Sequence, residues 1–306
     1  MTIFVTLAII NFHDYMTGMI KLRRSKLEQG STKTLHEGAE SGLGILSFGD
    51  AHRPQNHGKF DEISGKGILN NRISAHLMTC LESIGLPTHF RKSLNMREQE
   101  VRLLETLPFV VRVRNIAAGS FASRMGMEEG AILPRPILEF AFKKSSGIYN
   151  VITDDHILAF QWADTYELEE MVTMAYRAND FMNGMFTAVG LRLVDFTIEF
   201  GRLWGDHGEL YLMVSDEISP DTMRLWDAKT NDQLYGKDNE TKMIEAYQEI
   251  AIRLGLIPRE GLVKGGDVNE KLASNLDDIE NILANDKSRK IRSINRTPPV
   301  KGGSRG

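Results

Sequence analysis

The sequence predicts an α+β fold, with a small antiparallel sheet ahead of a larger lobe that mixes helices with a hairpin. Three observations predict it. Residues 25 to 65 place short apolar runs between glycines at 30, 38, 42, 44 and 49, the punctuation of short strands and tight turns. Three later stretches carry apolar residues at helical spacing. Between two of them, LVDFTIEFG (193 to 201) alternates with a period of two, which is strand spacing.

The elements follow in order. Ile73, Leu77, Leu81 and Ile84 lie on one face of a helix that stops at Gly85-Leu86-Pro87. Strands are expected around Thr88-His89-Phe90, in LPFVVRVRN (107 to 115) and in PRPILEFAFKK. The longest helical pattern runs from 166 to 191, where Met171, Met174, Phe181 and Met185 read as packing. LVDFTIEFG then turns through Gly205, Asp206 and Gly208 into a second strand carrying Leu210, Leu212 and Val214. MIEAYQEIAIRLGL (243 to 256) is an amphipathic helix, and Leu272, Leu276, Ile279 and Leu283 suggest a short further one. The expected domains are an extension (1–24), an N-terminal lobe (25–108), a larger lobe (109–258), and a C-terminal helix with a basic, Gly/Pro/Ser-rich tail read as disordered (259–306).

Bulk composition narrows the function. The chain has 306 residues, 42% hydrophobic and 25% charged, as ordinary globular proteins do. Its 37 basic and 41 acidic side chains leave a net charge of −4, which argues against a protein built mainly to grip nucleic acid. A single cysteine, Cys80, allows no internal disulfide, suits a reducing, cytoplasmic setting, and reads as buried packing. The apolar run from Ile3 to Asn11 is too short to span a bilayer and lacks a basic flank, so no membrane association is expected. The leader is expected to be an extra extension, or the natural start is Met16 or Met19, with the protein proper beginning near Lys21.

Three stretches can carry chemistry. On LVDFTIEFG, Val194, Phe196, Ile198 and Phe200 fall on one side, with Leu193, Asp195, Thr197 and Glu199 on the other. Asp195 and Glu199 are then ~13 Å apart, too far to act as one pair. A turn centred near His207-Gly208 puts Asp216 opposite Glu199. Two such carboxylates could hold Mg²⁺ on a nucleotide; a solvated face with ordinary acids is the alternative. In VRVRNIAAGSFASRMGMEEG (111 to 130), Arg114 offers a two-pronged anion contact, and the small run ending Gly119-Ser120 allows close backbone approach. Ser120 as a helix N-cap is the simpler reading. In EQGSTKTLHEG, Gly30 and Lys33 could lie over phosphates, although the G-x-x-x-x-G-K-[ST] pattern is absent.

Taken together, GKGILNNRIS (65–74), GLPTHF (85–90), LNMREQEV (94–101), VRNIAAGS (113–120), MGMEEG (125–130), LVDFTIEFG, SDEISPDTMRLWD (215–227) and IEAYQEIAIRLG (244–255) resemble the SAICAR synthetase family, the phosphoribosylaminoimidazole-succinocarboxamide synthases. The resemblance runs from about Lys26 to Leu256. It implies two α+β parts with the active cleft between them. It implies ATP and Mg²⁺, and ligation of aspartate to the carboxylate of an aminoimidazole ribotide in purine biosynthesis. It implies Glu199 and Asp216 as holders of the metal-nucleotide, with Gly30 and Lys33 at its phosphates. It assigns Arg114, Asn115 and Ser120 to the ribotide, and Asp195 with Arg114 to the reacting centre. The partners implied are small molecules, and a homo-oligomer is compatible with it.

The chain also departs from the family's pattern. A lid Gly-Lys-Ala-Lys reads Gly30-Ser31-Thr32-Lys33, and Asp-Asp-Ala-Thr-Ala reads Asp50-Ala51-His52-Arg53-Pro54. A glutamate is replaced by Val110, an Asp-Pro by Tyr149-Asn150, and a lysine by Thr197. A Lys-Asp-Arg-Phe-Arg cluster is not recognisable in YGKDNETK. Each lost charge-assisted contact costs about 1.5–3 kcal/mol unless replaced, and Arg53 and Lys237 are the candidate replacements. A ligase for another carboxylate or amine, and a non-catalytic homologue, stand as alternatives.

Overall fold

The computed structural model describes residues 25–30, 32–52, 61–143, 149–234 and 240–259. The N-terminal extension, the helix at 272–283, the basic tail, Arg53 and Lys237 lie outside these residues.

The glycine-punctuated start forms β1 (Lys26–Gln29), β2 (Lys33–Glu37) and β3 (Leu43–Phe48), then a two-stranded ribbon of β4 (Ala51–His52) and β5 (Asp61–Glu62). Helix α1 (Lys66–Ser83) follows, then β6 (Phe90–Ser93) and β7 (Glu98–Arg102). Strands β1-β2-β3-β7-β6 make one antiparallel sheet. The larger part contains β8 (Glu105–Thr106), β9 (Phe109–Ile116), α2 (Ser120–Met125), β10 (Ile132–Lys143), β11 (Tyr149–Ile152), α3 (Asp154–Ala159) and α4 (Thr165–Ala188). It closes with β12 (Leu191–Trp204), β13 (Leu210–Ser215), β14 (Met223–Asp227) and α5 (Glu240–Arg253). Its sheet runs β11-β10-β9-β12-β13, with β14 and β8 also paired to β12. All these pairings are antiparallel, as an α+β fold requires.

One core spans both parts. Leu69, Ile73, Leu77 and Leu81 of α1 are fully buried and join Tyr247 and Ile250 of α5. Fully burying a Leu or Ile side chain contributes roughly 1.5–3 kcal/mol, so α1, drawn from the N-terminal segment, is anchored to the larger part. Met171 and Met174 of α4 are buried in the same core, and Phe181 and Met185 pack against its edge. Helix α4 starts where Asp164 caps it: its carboxylate accepts the Glu167 N–H at 2.9 Å while Glu167 accepts the Asp164 N–H. Cys80 is half-buried rather than buried, with Sγ 3.7 Å from His76 Nε2.

Strand β12 corrects the simple alternation in two ways. A register shift against β14 falls between Leu193 and Asp195, and such a bulge moves side chains between faces. Leu193 therefore packs with Phe196, Ile198 and Phe200 in the main core. Val194 joins a separate cluster with Ile116, Ala118 and Trp226. The polar face is not solvated: Asp195 is 4% exposed and Thr197 8%. With β9 on one edge and β13 and β14 on the other, β12 is a central strand.

Asp50 locks the N-terminal sheet to α1. The helix begins at Gly65, which has φ 85° and no side chain to cap the turn. Asp50 caps from outside, accepting the N–H groups of Gly67 at 2.9 Å and Gly65 at 3.2 Å. Arg97 grips the same carboxylate through both terminal nitrogens at 2.8 Å. Burial would raise the Asp50 pKa, but the Arg97 contact and the backbone N–H groups outweigh it and hold it below the usual carboxylate value. A carboxyl depressed on folding adds stability that is present above the unfolded-state pKa and lost as pH falls through the folded one. Asp50→Asn is therefore expected to destabilise the protein by about 1.5–3 kcal/mol at pH 7. Urea unfolding at pH 7 and near pH 3 should show the gap to the parent narrowing in acid; an equal gap at both pH values would refute this role.

Candidate active site

A cleft of about 590 Å³ opens between the two parts. Its floor is the paired strands β9 and β12, which present Arg112, Arg114, Asp195, Thr197 and Glu199. One wall is the β1–β2 hairpin, with Gly30, Thr32 and Lys33; the other is the loop from Asp216 to Thr222, with Tyr247 behind it. A smaller cavity of about 160 Å³ adjoins it, walled by Leu35, Leu46, Val101 and Leu103. Glu28, Gly30, Lys33, Lys143, Glu199 and Asp216 line both. An apolar slot thus meets a polar cleft at a mouth of paired charges. Gly30, Lys33, Glu199 and Asp216, singled out from the sequence, all sit at that mouth.

The mouth is held by ion pairs, of which those of Lys33 cross between the two parts. Lys33 lies 2.6 Å from both Asp216 oxygens and 2.8 Å from Glu217. Lys143 pairs with Glu199. The hairpin register differs by one from the expected one: Ser215, not Asp216, lies opposite Glu199. Asp216 follows with φ 60°, a left-handed conformation that Asp tolerates better than most residues. Its carbonyl accepts a hydrogen bond from His89 Nε2–H at 2.8 Å. Burial pushes His89 down to about 4, so it is neutral and donates from Nε2.

Burial raises Glu199 to about 7, with the Asp216 charge adding to it and Lys143 opposing. Burial would lower Lys33, yet Asp216 and Glu217 outweigh it and raise it. Glu217 is itself raised by burial, and its Oε2 is buried with no hydrogen-bond partner. Among the described residues no three His, Cys, Asp or Glu side chains converge to ligating distance. Mg²⁺ on a nucleotide asks for only one or two carboxylates beside the phosphates. Glu199 and Asp216, with an orphaned carboxylate oxygen beside them, fit that demand.

Deeper in the cleft, Asp195 is held by two arginines. Arg114 Nη1 donates to it at 2.9 Å and Arg224 Nε at 2.7 Å. Arg114 also reaches Glu139 at 2.6 Å and lies over the Phe121 ring, 4.8 Å from its centre. Ser120 lines the cleft, but the N-cap of α2 is Gly119, so the simple capping role expected for Ser120 does not hold. Gly119 has φ 57°, and a side chain there would meet Arg224 at 2.9 Å. Its N–H, expected to face a bound anion, donates to Glu129 at 2.8 Å. Asn115 sits on the other face of β9, donates to Asn179 of α4 at 2.8 Å, and does not line the cleft.

A model of the SAICAR synthetase family matches residues 26–252. The chain belongs to the SAICAR synthetase family. It is 48% identical over 240 residues to the phosphoribosylaminoimidazole-succinocarboxamide synthase of Gluconacetobacter diazotrophicus, covering 77% of this chain and 94% of that protein. The crystal structure of the Ehrlichia chaffeensis enzyme of that name is 38% identical, with a TM-score of 0.73 over 77% of this chain and all of the other. A SAICAR synthetase (Type-2) solved in complex with ADP is 30% identical, with a TM-score of 0.69 over 79% of this chain and all of the other.

Several residues in and behind the cleft of this SAICAR synthetase family member escaped the motif reading. Lys66 is fully buried and pairs with Asp221, which also accepts the Tyr247 hydroxyl at 2.7 Å. Both lie inside quoted motifs, GKGILNNRIS and SDEISPDTMRLWD, as do Glu217 and Arg224, so position within a motif was their available signal. Lys143 ends PRPILEFAFK and carried none. Arg112 is two residues from Arg114 on a strand, and that spacing alone places it on the same face.

Asp195 balances two guanidinium groups in a buried setting. Removing one partner of a buried pair costs about 3–5 kcal/mol, because the other charge stays behind. Asp195→Ala should lower the urea midpoint by a corresponding amount with an unchanged slope. A variant as stable as the parent would show that the two arginines find other partners.

Proposed function

We propose that the chain is an ATP-dependent ligase that joins the amino group of aspartate to the carboxylate of carboxyaminoimidazole ribotide, a step of de novo purine synthesis. The observation that supports it best is the charged mouth shared by an apolar slot and a larger polar cleft. The slot suits a flat nucleobase. The mouth suits its phosphates, and the cleft a second, anionic substrate. Family membership and 48% identity over most of the chain support the same reading.

The chemistry follows from the groups present. A carboxylate is a poor acyl donor. Its oxygen attacks the terminal phosphorus of ATP, and ADP leaves with the bond electrons. The acyl phosphate so formed is attacked by the neutral amine of aspartate; phosphate leaves, the amine loses a proton, and an amide remains. Lys33 and Lys143 are the chain's cations where negative charge gathers in the first step, and such preorganised charge lowers barriers without reorganisation. Mg²⁺, held by Glu199 and Asp216, would supply the remaining neutralisation on the phosphates. Asp195 and Arg114 form the rigid base of the ribotide side, and Ser120 lies at its rim. Among the described residues no helix is long and apolar enough to cross a membrane. With one cysteine in the chain, a cytoplasmic setting is the reading that fits.

Purified protein should release ADP only when the ribotide and aspartate are both present. Asp216→Asn is expected to cut kcat/KM by about a hundredfold or more while the fold is kept, the scale found when a preorganised charge-stabilising group is lost. Absence of turnover, with an active family relative in the same assay, would refute the proposal.

A further inference from the structure

The loop that leaves β13 carries three acids to the cleft, Asp216, Glu217 and Asp221. Their oxygens are not equally engaged. Both oxygens of Asp216 accept from Lys33 at 2.6 Å. Asp221 pairs with Lys66 through one oxygen and accepts the Tyr247 hydroxyl at 2.7 Å with the other. Glu217 Oε1 lies 2.8 Å from Lys33, while its Oε2 is buried with no hydrogen-bond partner among the described residues. Lys33 has three N–H groups. Two contacts to Asp216 and one to Glu217 use them all, so Lys33 does not serve Oε2 as well.

Glu217 is firmly placed. It is 2% exposed, and the next residue, Ile218, is fully buried and donates its N–H to Ser74 Oγ of α1 at 3.3 Å. A buried acceptor left unmet costs about 1–3 kcal/mol, more when it is charged, so the orphaned oxygen calls for a donor. Magnesium on a nucleotide takes only one or two carboxylates, and Glu199 and Asp216 supply those. Glu217 follows Asp216 directly, with Cα atoms about 3.8 Å apart, so it stands beside the mouth where the acyl phosphate would form. Of the groups that react there, carboxylate and phosphate offer acceptors, whereas the amine of aspartate brings donors.

We propose that Glu217 Oε2 accepts a hydrogen bond from the amine of aspartate, orients its lone pair toward the acyl carbon, and selects an amino acid over the same diacid without an amine. This deepens the ligase reading above and rests on it. As the C–N bond forms and the acyl C–O bond breaks, the proton lost by the amine leaves with the departing phosphate, so Glu217 holds the amine without titrating.

The test compares parent, Glu217→Gln and Glu217→Asp by steady-state kinetics, with succinate, which is aspartate without its amine, as the competitor. The readout is the ratio of the succinate Ki to the aspartate KM. Glu217→Gln keeps an oxygen for Lys33 and replaces the orphaned acceptor with a donor. Its KM for aspartate should rise by about 10- to 100-fold, the range for a lost charge-assisted contact. Succinate should inhibit it no less well than the parent, and KM for ATP and for the ribotide should stay unchanged. Glu217→Asp, which keeps the charge but withdraws it by one methylene, should fall between the two and carries the same test if Glu217→Gln does not fold. A ratio equal to that of the parent in a folded variant overturns the inference. So does a loss that falls on Mg-ATP, which would put Glu217 with the metal, or on the ribotide. These results leave the ligase reading intact; a parent without turnover removes both.

Discussion

Five carboxylates along the cleft are wholly or partly taken out of water, and a buried carboxylate needs a cation. They find it on several different elements. Asp195 draws Arg114 from β9 and Arg224 from β14; Glu199 draws Lys143 from β10. Asp216 and Glu217 draw Lys33 from the small sheet, and Asp221 draws Lys66 from the first turn of α1. Leaving one such charge unpaired would cost several kcal/mol, comparable to the whole stability of a domain. Charge pairing therefore fixes how the small sheet, α1 and the large sheet meet around the cleft. The hydrophobic core, which is non-directional, does not specify that meeting so narrowly.

On the function proposed above, the same constraint would prepare the site for its ligands. Lys33 and Lys143 sit where phosphate charge would gather, and in the free protein they are held by Asp216, Glu217 and Glu199. Burial together with the Asp216 charge raises Glu199 above the usual carboxylate range, against the pull of Lys143. A dication beside it would favour the ionised form, and its proton would leave on binding. The orphaned Glu217 oxygen points the same way: the mouth holds more acceptor capacity than its own lysines satisfy.

Much of the fold was legible because period and punctuation are local. The long helix, the strand pair around residues 107 to 115 and 193 to 201, and the glycine-rich first sheet all follow from spacing within a dozen residues. The bulge at Leu193 and Asp195 was not legible, since it arises from pairing with β14 some 30 residues on. Nor was the one-residue difference in the hairpin, which depends on turn geometry. At the site, acids stood out because they interrupt a strand's apolar pattern. Their pairing with cations did not: Lys33 and Arg114 stand out as contacts for an anionic ligand, not as partners of Asp216 and Asp195. Lys33 and Asp216 are 183 residues apart in sequence, and Lys143 ends a strand, where a lysine is unremarkable. Asn115 lay inside a motif, and its neighbour Arg114 faces the cleft, but alternate residues on a strand face opposite ways.

The departures from the family pattern become one structural fact when placed on the sheet. Val110 and Thr197 stand where the resemblance expects a glutamate and a lysine. Val110 lies on the same side of β9 as Arg112 and Arg114 by its two-residue spacing, buried beyond the cleft lining, and Thr197 is directly across from Arg112. An acid and a base are therefore both missing from one small patch, so the patch loses no net charge by the exchange. Arg112 stands on β9 in that patch, and Thr197 Oγ1 accepts from its Nε at 3.0 Å. A lysine at 197 would bring a second positive charge against Arg112, and a glutamate at 110 would compete for it. The three positions make sense only together, which is why each looks like a loss when read singly along the chain.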